Sequence, residues 1–332
     1  MTDLVSAARS LVAPGKGILA ADESVATATK RLAAYGIPAS AETRRQYREL
    51  YLGAPGIEEY LSGVILFRET LEQKGDDGSF FPASLAAREI APGIKVDEGT
   101  APFPDSPDEL ITMGLLELPG RLASAKEKGA VFTKWRAVIR IEGDRLPSPA
   151  ALLENAKRLA NYAKTVQEAG LVPIVEPEVL LEGTHSRTRS RAVIEEMLGT
   201  LFSVLAEHSV DHASLILKTS MVLSGSENAK KDTPEEVAED TLHALMAAVP
   251  KKVAGVVFLS GGQMPDEATD NLAAICRLSR AKGGTPWPLT FSYARALQEE
   301  ALSLWRGKEE NVPAARAAFI ARLKKVSAAA SL

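Results

Sequence analysis

Short apolar runs alternate along the chain with longer stretches of helical periodicity. The runs cover residues 17–23, 63–69, 90–97, 132–141, 171–179, 214–222, 255–261 and 289–293, each of strand length and nearly continuous in hydrophobicity. Strands buried on both faces of a parallel sheet read this way, whereas half-solvated strands alternate apolar with polar positions. Between the runs the helix punctuation is explicit. Ser148 and Pro149 precede Leu152, Leu153, Ala156, Leu159, Ala163 and Val166, which share one helical face, and Gly170 closes the segment. Thr233 and Glu236 have the spacing of a capping box ahead of Val237, Leu242, Leu245 and Val249. Segments 187–207, 266–282 and 294–305 predict further helices, and 311–326 a final one.

Eight strand candidates alternating with helices predict a parallel sheet with its helices outside. Closed on itself, that sheet is an α/β fold of the (β/α)8 TIM-barrel type. Such a barrel takes about 250 residues. The 332 residues here therefore accommodate one barrel domain over 1–332 with additional terminal helices. An open doubly wound sheet is the alternative. The barrel is preferred because polar residues gather at the C-terminal ends of several strands, where barrel active sites are assembled, rather than in one glycine-rich first turn.

Composition narrows the class. Lys and Arg number 39 against 43 Asp and Glu, a net charge of −4, so no global basic field recruits nucleic acid or a membrane surface. The one cysteine, Cys276, allows no intrachain disulfide, and no run approaches the roughly 18 apolar residues that span a bilayer. The first 13 residues carry Asp3 and a short amphipathic pattern without a basic start or a long apolar stretch, so no signal peptide is expected. The expectation is a soluble cytoplasmic enzyme.

The strand ends carry the candidate chemistry. Lys218 follows Leu215, Ile216 and Leu217, and by period 2 shares a face with Ser214, Ile216 and Ser220. That face is either the barrel axis or the helix layer, and both are costly for an ammonium unless it is paired or neutral. A lysine of ordinary pKa, about 10.4, must be brought down by burial or nearby cations before it can be a Schiff-base nucleophile. The competing reading is a buried structural lysine–carboxylate pair. Glu176 and Glu178 flank Pro177 at i and i+2, on one side of an extended segment and roughly 6.5–7 Å apart. Such a pair splits its pKa values and leaves one group able to act as an acid, unless it is simply a solvated acidic loop. Because Pro177 lacks a ladder donor, the regular strand is expected to stop there. Lys134 and Arg136 make a second i, i+2 pair, either an anion site or part of an ion-pair cluster. Ser260, Gly261 and Gly262 end the seventh run, where backbone N–H groups can approach an anion, and Arg295 follows the eighth; a plain glycine turn explains the first feature equally well. Three other features carry little. Gly15, Gly17 and Ala20 fit a relaxed dinucleotide fingerprint but precede a strand instead of following one. His208 and His212 are spaced for a metal without the rest of a ligand set. Cys276 sits in an alanine- and leucine-rich helix and reads as a core thiol.

At these residues the sequence resembles the class I, Schiff-base fructose-1,6-bisphosphate aldolases. The matching stretches are PGKGILAADES (14–24), GVILFRET (63–70), PGIKVDEG (92–99), KWRAV (134–138), LVPIVEPEV (171–179), LILKTSMV (215–222), FLSGGQ (258–263) and LTFSYARALQ (289–298), in family order. The resemblance implies cleavage of fructose 1,6-bisphosphate to dihydroxyacetone phosphate and glyceraldehyde 3-phosphate in glycolysis and gluconeogenesis. It implies no metal and no cofactor, sugar phosphates as partners, and a homotetramer. Lys218 would form the Schiff base. Glu176 would be the acid/base in carbinolamine dehydration, with Lys134 beside the carbinolamine. Asp22 would take the proton of the C4 hydroxyl, and Glu178 would hold Lys134 and Lys218 in register. Ser260, Gly261, Ser292 and Arg295 would bind the C1 phosphate. Ser24, Thr27, Arg31 and Lys95 would bind the other, with Arg136 also in the substrate site. Lys95, Lys134, Lys218, Arg31 and Arg295 are expected to gather as a positive funnel at one barrel mouth. Three stretches depart from the common pattern. The lysine motif reads K-T-S-M-V where K-P-N-M-V is common. Glu182, Gly183, Thr184 and His185 stand where an acidic D-G-D-H-D is common. The last tyrosine is Tyr293, whereas many members end in one that assists proton exchange on the enamine, so that exchange is expected to be altered.

Overall fold

The computed structural model describes residues 3–332; Met1 and Thr2, the start of the amphipathic N-terminal segment, lie outside the described residues. Ten strands follow in chain order: β1 (Gly17–Ala21), β2 (Leu61–Leu66), β3 (Ala91–Lys95), β4 (Thr100–Phe103), β5 (Ser106–Thr112), β6 (Phe132–Ile139), β7 (Val172–Val179), β8 (Ile216–Thr219), β9 (Gly255–Phe258) and β10 (Leu289–Phe291). Eight of them form one parallel sheet in the order β1-β2-β3-β6-β7-β8-β9-β10. The two edges meet where the Ala20 N–H donates to the Tyr293 carbonyl at 2.9 Å, which closes the barrel. All eight apolar runs supply a barrel strand, shorter than the run in most cases.

The barrel is filled by period-2 alternation. Ile18, Ala20, Ile65, Phe132, Val172, Ile174, Ile216 and Val257 pack inside as one cluster, while Leu19, Val64, Trp135, Val175 and Leu217 face the helices. Ala8, Leu11 and Val12, from the helix Leu4–Ser10 and the turn after it, join the inner cluster and plug its lower end. Gly255 makes room for this plug, since a Cβ there would lie 2.7 Å from the Val12 methyls. Gly93 does the same for the Phe132 ring at 2.3 Å. The interior is therefore open only at the C-terminal ends of the strands.

The punctuated helices form as their sequence implies. Ser148 Oγ accepts from the Ala151 N–H at the start of Pro149–Glu168, and Thr233 and Glu236 make a reciprocal box at the start of Pro234–Ala248. Arg187–Glu207, Pro265–Ala281 and Arg295–Trp305 are helical, and the final helix, Val312–Ala330, runs four residues past the expected end. Helices Val25–Ala34, Ala41–Leu52, Phe81–Ala87 and Leu118–Glu127 have no counterpart in the sequence reading. Neither has the antiparallel β4–β5 hairpin, whose Pro102 and Pro107 argue against strand. No helix among the described residues is long and apolar enough to cross a membrane.

Pro177 does not end its strand. β7 continues to Val179, with Pro177 opposite Ala137. The N–H groups of Val172 and Leu180 donate to Val131 and Ile139, so even-numbered residues of β7 turn their amides toward β6. Odd-numbered Pro177 turns its missing donor toward β8, where the paired register has already ended at Val175 and Leu217. The proline therefore costs the β6 ladder nothing.

Candidate active site

One further step along the inward register builds the site. Two residues beyond Ala20, Phe132, Ile174 and Ile216 stand Asp22, Lys134, Glu176 and Lys218, all on the wall of a cavity of about 1430 Å³ at the open mouth. They form a continuous chain of charge. Lys218 Nζ lies 3.0 Å from Glu176 Oε1, and Lys134 Nζ lies 3.0 Å from Oε2 of the same carboxylate. Lys134 Nζ also meets Asp22 Oδ2 at 2.7 Å. None of the four is more than 8% exposed.

Burial at this depth opposes every charge, so the partners decide the protonation states. For Asp22, burial pushes the pKa up, but Lys134, Lys218 and Lys95 outweigh it and hold the group at about 2. For Glu176, burial is again outweighed by Lys134 and Lys218, and the pKa lies below the usual carboxylate range. Burial acts to lower the Lys134 pKa, yet Asp22 and Glu176 raise it well above that of an ordinary lysine. At neutral pH the cluster is two carboxylates around a fixed Lys134 cation, with Lys218 at its end.

Around this floor stand the other expected residues. Lys95 Nζ pairs with Asp97 Oδ1 at 2.6 Å. Ser24 caps helix Val25–Ala34, its Oγ accepting from the Thr27 N–H at 3.2 Å, and both hydroxyls line the cavity. Across the mouth stand Ser260, Gly261, Ser292 and Arg295. Gly261 and Gly262 have φ of +48° and +88°, so the turn needs their conformational freedom. Ser292 is 1% exposed with its Oγ unpartnered, and Arg295 opens the helix Arg295–Trp305. This face offers an anion a guanidinium, hydroxyls and backbone donors together.

Two placements differ from expectation. Glu178 does not bridge the lysines; Glu176 does, and Glu178 pairs closely with Arg136, which also lines the cavity. Arg31 is not part of the cavity wall. Glu23, one residue from Asp22 and also at the cavity wall, gathers Arg48, Arg31 and the Tyr47 hydroxyl. Arg31 is held there, with Gln298 Oε1 at 2.8 Å and Glu299 Oε2 at 3.0 Å. Asp97 has no assigned role in the sequence reading, although its i+2 spacing from Lys95 is the signal for a pair. Arg68, a polar residue at the end of the second apolar run, also lines the wall, whereas Arg121 and Lys128 there carry no such signal. His208 serves its helix, with Nδ1 2.9 Å from the Val204 carbonyl, and Cys276 is buried. Tyr293 is buried and donates to the Ala268 carbonyl at 2.8 Å.

A closed parallel barrel whose mouth holds a buried lysine, a carboxylate shared with a second lysine, and a rim of guanidinium, hydroxyl and backbone donors defines a (β/α)8 protein with a lysine-centred candidate site. The family model described as fructose-bisphosphate aldolase class-I matches residues 3–331. A fructose-bisphosphate aldolase of Drosophila melanogaster is 47% identical over 97% of this chain and 88% of its own length. The cytoplasmic isozyme of Spinacia oleracea is 48% identical over 97% of this chain and 89% of its own. A solved fructose-bisphosphate aldolase from Plasmodium falciparum, in complex with TRAP and a small-molecule inhibitor, superposes with a TM-score of 0.96. It is 42% identical, over 99% of this chain and 94% of that one. The chain belongs to the class I fructose-bisphosphate aldolase family, lyases that act through a lysine Schiff base without a metal.

Proposed function

We propose that one barrel domain cleaves fructose 1,6-bisphosphate reversibly to dihydroxyacetone phosphate and glyceraldehyde 3-phosphate, with Lys218 as the Schiff-base residue. The observation that carries this reading is the single Glu176 carboxylate lying 3.0 Å from both Lys218 and Lys134. The Lys218 amine attacks the C2 ketone carbon and gives a carbinolamine. Glu176, which touches the amine, is placed to relay protons as that hydroxyl leaves as water and the imine forms. Lys134 stays protonated and supports the developing charge. Asp22, ionised, accepts the C4 hydroxyl proton; the C3–C4 bond breaks, and its electron pair flows into the protonated imine to give an enamine. Protonation at C3 and hydrolysis release the ketose product and restore Lys218. Arg136 and Glu178 flank the bound sugar. The rim of Ser260, Gly261, Ser292 and Arg295 takes the C1 phosphate, and Ser24, Thr27 and Lys95 the other, with Arg31 acting from behind through Glu23. A cytoplasmic location and a homotetrameric assembly complete the proposal by likeness to the family.

The test is covalent trapping. Incubation with dihydroxyacetone phosphate and borohydride should place a reduced three-carbon adduct on Lys218 by peptide mass mapping. An adduct on Lys134, or none, would overturn the assignment.

A further inference from the structure

The strand carrying Glu176 and the strand carrying Lys218 are joined by very little backbone. Their paired register covers Ile174 with Ile216 and Val175 with Leu217 and then stops. The next amide of β7 turned toward β8 belongs to Pro177, which has no N–H to give. Glu176 and Lys218 each lie one residue beyond the last β7–β8 pair, so the paired register between these two strands does not extend to their level. One side chain spans the gap. Ser220 Oγ accepts from the Val179 N–H at 3.1 Å and donates to the Val179 carbonyl at 3.0 Å. It thereby satisfies both backbone groups of the next β7 residue that faces β8. Ser220 is buried, two residues from Lys218, and Val179 is one residue from Glu178 and three from Glu176.

We infer that Ser220 is a positioning residue for imine chemistry. Its hydroxyl is a two-point clasp that replaces the missing rung and sets the distance between Glu176 and Lys218. The inference rests on the assignment of Lys218 above. It also gives a physical meaning to the departure at this position, where the related motif carries asparagine. A side-chain amide, like a hydroxyl, offers one acceptor and a donor, so either residue can close the gap, whereas alanine cannot and a thiol does so weakly.

The experiment compares the parent with Ser220→Ala, Ser220→Cys and Ser220→Asn. Three readouts are taken: the single-turnover rate of borohydride-trapped adduct with dihydroxyacetone phosphate, kcat and KM for bisphosphate cleavage, and thermal midpoint. Misplacement of reacting groups by a fraction of an ångström should slow trapping and kcat by about tenfold in the Ala and Cys variants. KM should stay within about twofold, because the phosphate contacts are untouched. Ser220→Asn should recover to within about threefold of the parent on the same scale. If Ser220→Ala fails to fold, Ser220→Cys, of similar volume, carries the measurement. Trapping at parental rate in folded Ala or Cys variants would overturn the inference. So would an Asn variant as slow as the Ala variant, which would mark a packing effect. A parent that gives no Lys218 adduct would overturn the reading beneath it, and is distinguishable because no variant enters that result.

Discussion

Single residues matter here through the charges they share. Among the described residues Glu176 is the one carboxylate in contact with both buried lysines, so on the proposed mechanism its removal takes away the proton relay and the partner they share. Glu176→Gln should lower kcat for cleavage by about 10²- to 10⁴-fold, the range of a positioned acid/base, with KM little changed; steady-state kinetics checks it. Asp22 makes a prediction about pH. Its pKa is lowered from 3.8 to about 2, so its ionised form is favoured by the folded state. A depressed carboxylate contributes stability that is complete above its unfolded pKa and disappears as pH falls through the folded one. The contribution is at most about 2 kcal/mol, lost between about pH 4 and pH 2. Asp22→Asn should flatten the fall of unfolding free energy in that window, measured by denaturant titration at stepped pH; parallel curves would contradict it. Lys218 was legible in sequence because a lysine inside an apolar run demands a partner. The partner was harder to name. Glu176 and Glu178 are equivalent by spacing, and only the three-dimensional register gives Lys134 and Lys218 to the first and Arg136 to the second.

Secondary-structure elements were legible where hydrophobic period and caps agreed, and illegible where tertiary contacts did the work. The helix Arg187–Glu207 was readable to the residue, and all eight barrel strands announced themselves as apolar runs. The β4–β5 hairpin did not, because it is held from outside by polar anchors. Glu109, 5% exposed, accepts from both the N–H and the Oγ of Ser148, and Asn155 Nδ2 donates to the Leu110 carbonyl at 2.9 Å. Thr112 Oγ1 then donates to the Arg136 carbonyl at 2.7 Å and ties the hairpin to the strand that bears Lys134. Glu109→Ala strands the Ser148 donor and should cost about 1–3 kcal/mol in urea unfolding. Amides of residues 100–112 should exchange faster with the rest of the barrel unchanged. Exchange that accelerates uniformly would show that the hairpin is not a separately anchored unit. Helix Ala41–Leu52 was hidden for a related reason. Arg48 looks like part of a solvated face, yet it is 3% exposed and buried against Glu23.

The whole molecule carries a small acidic excess, and the question is where that excess sits. A positive funnel at the mouth would require the cations to outnumber the carboxylates there. They do not: eight Lys and Arg side chains line the cavity, and so do eight Asp and Glu side chains. Six of these cations are paired, Lys134 with Asp22 and Glu176, Lys218 with Glu176, Lys95 with Asp97, Arg136 with Glu178, Arg121 with Glu98 and Lys128 with Glu72. For Lys134 and Lys218 the pairing follows from depth, since a buried cation without a nearby carboxylate would be too costly to keep charged. Charge counting along a sequence cannot reveal this, because it sums over the surface while the mouth is balanced pair by pair. On the proposed reading, substrate capture rests on short-range contacts at Arg295, Ser292 and the 260–262 turn rather than on a long-range field. A cleft with one dominant sign gains about 10- to 1,000-fold in association rate and loses it steeply with salt. A balanced one should not. Raising potassium chloride from low concentration to 0.15 M, where the Debye length falls to about 8 Å, should lower kcat/KM for fructose 1,6-bisphosphate by no more than about fivefold. Arg295→Ala should instead raise KM at every salt concentration alike, because it removes a contact and not a field. A parental kcat/KM that falls by a hundredfold over that range would show that the mouth acts as a funnel after all.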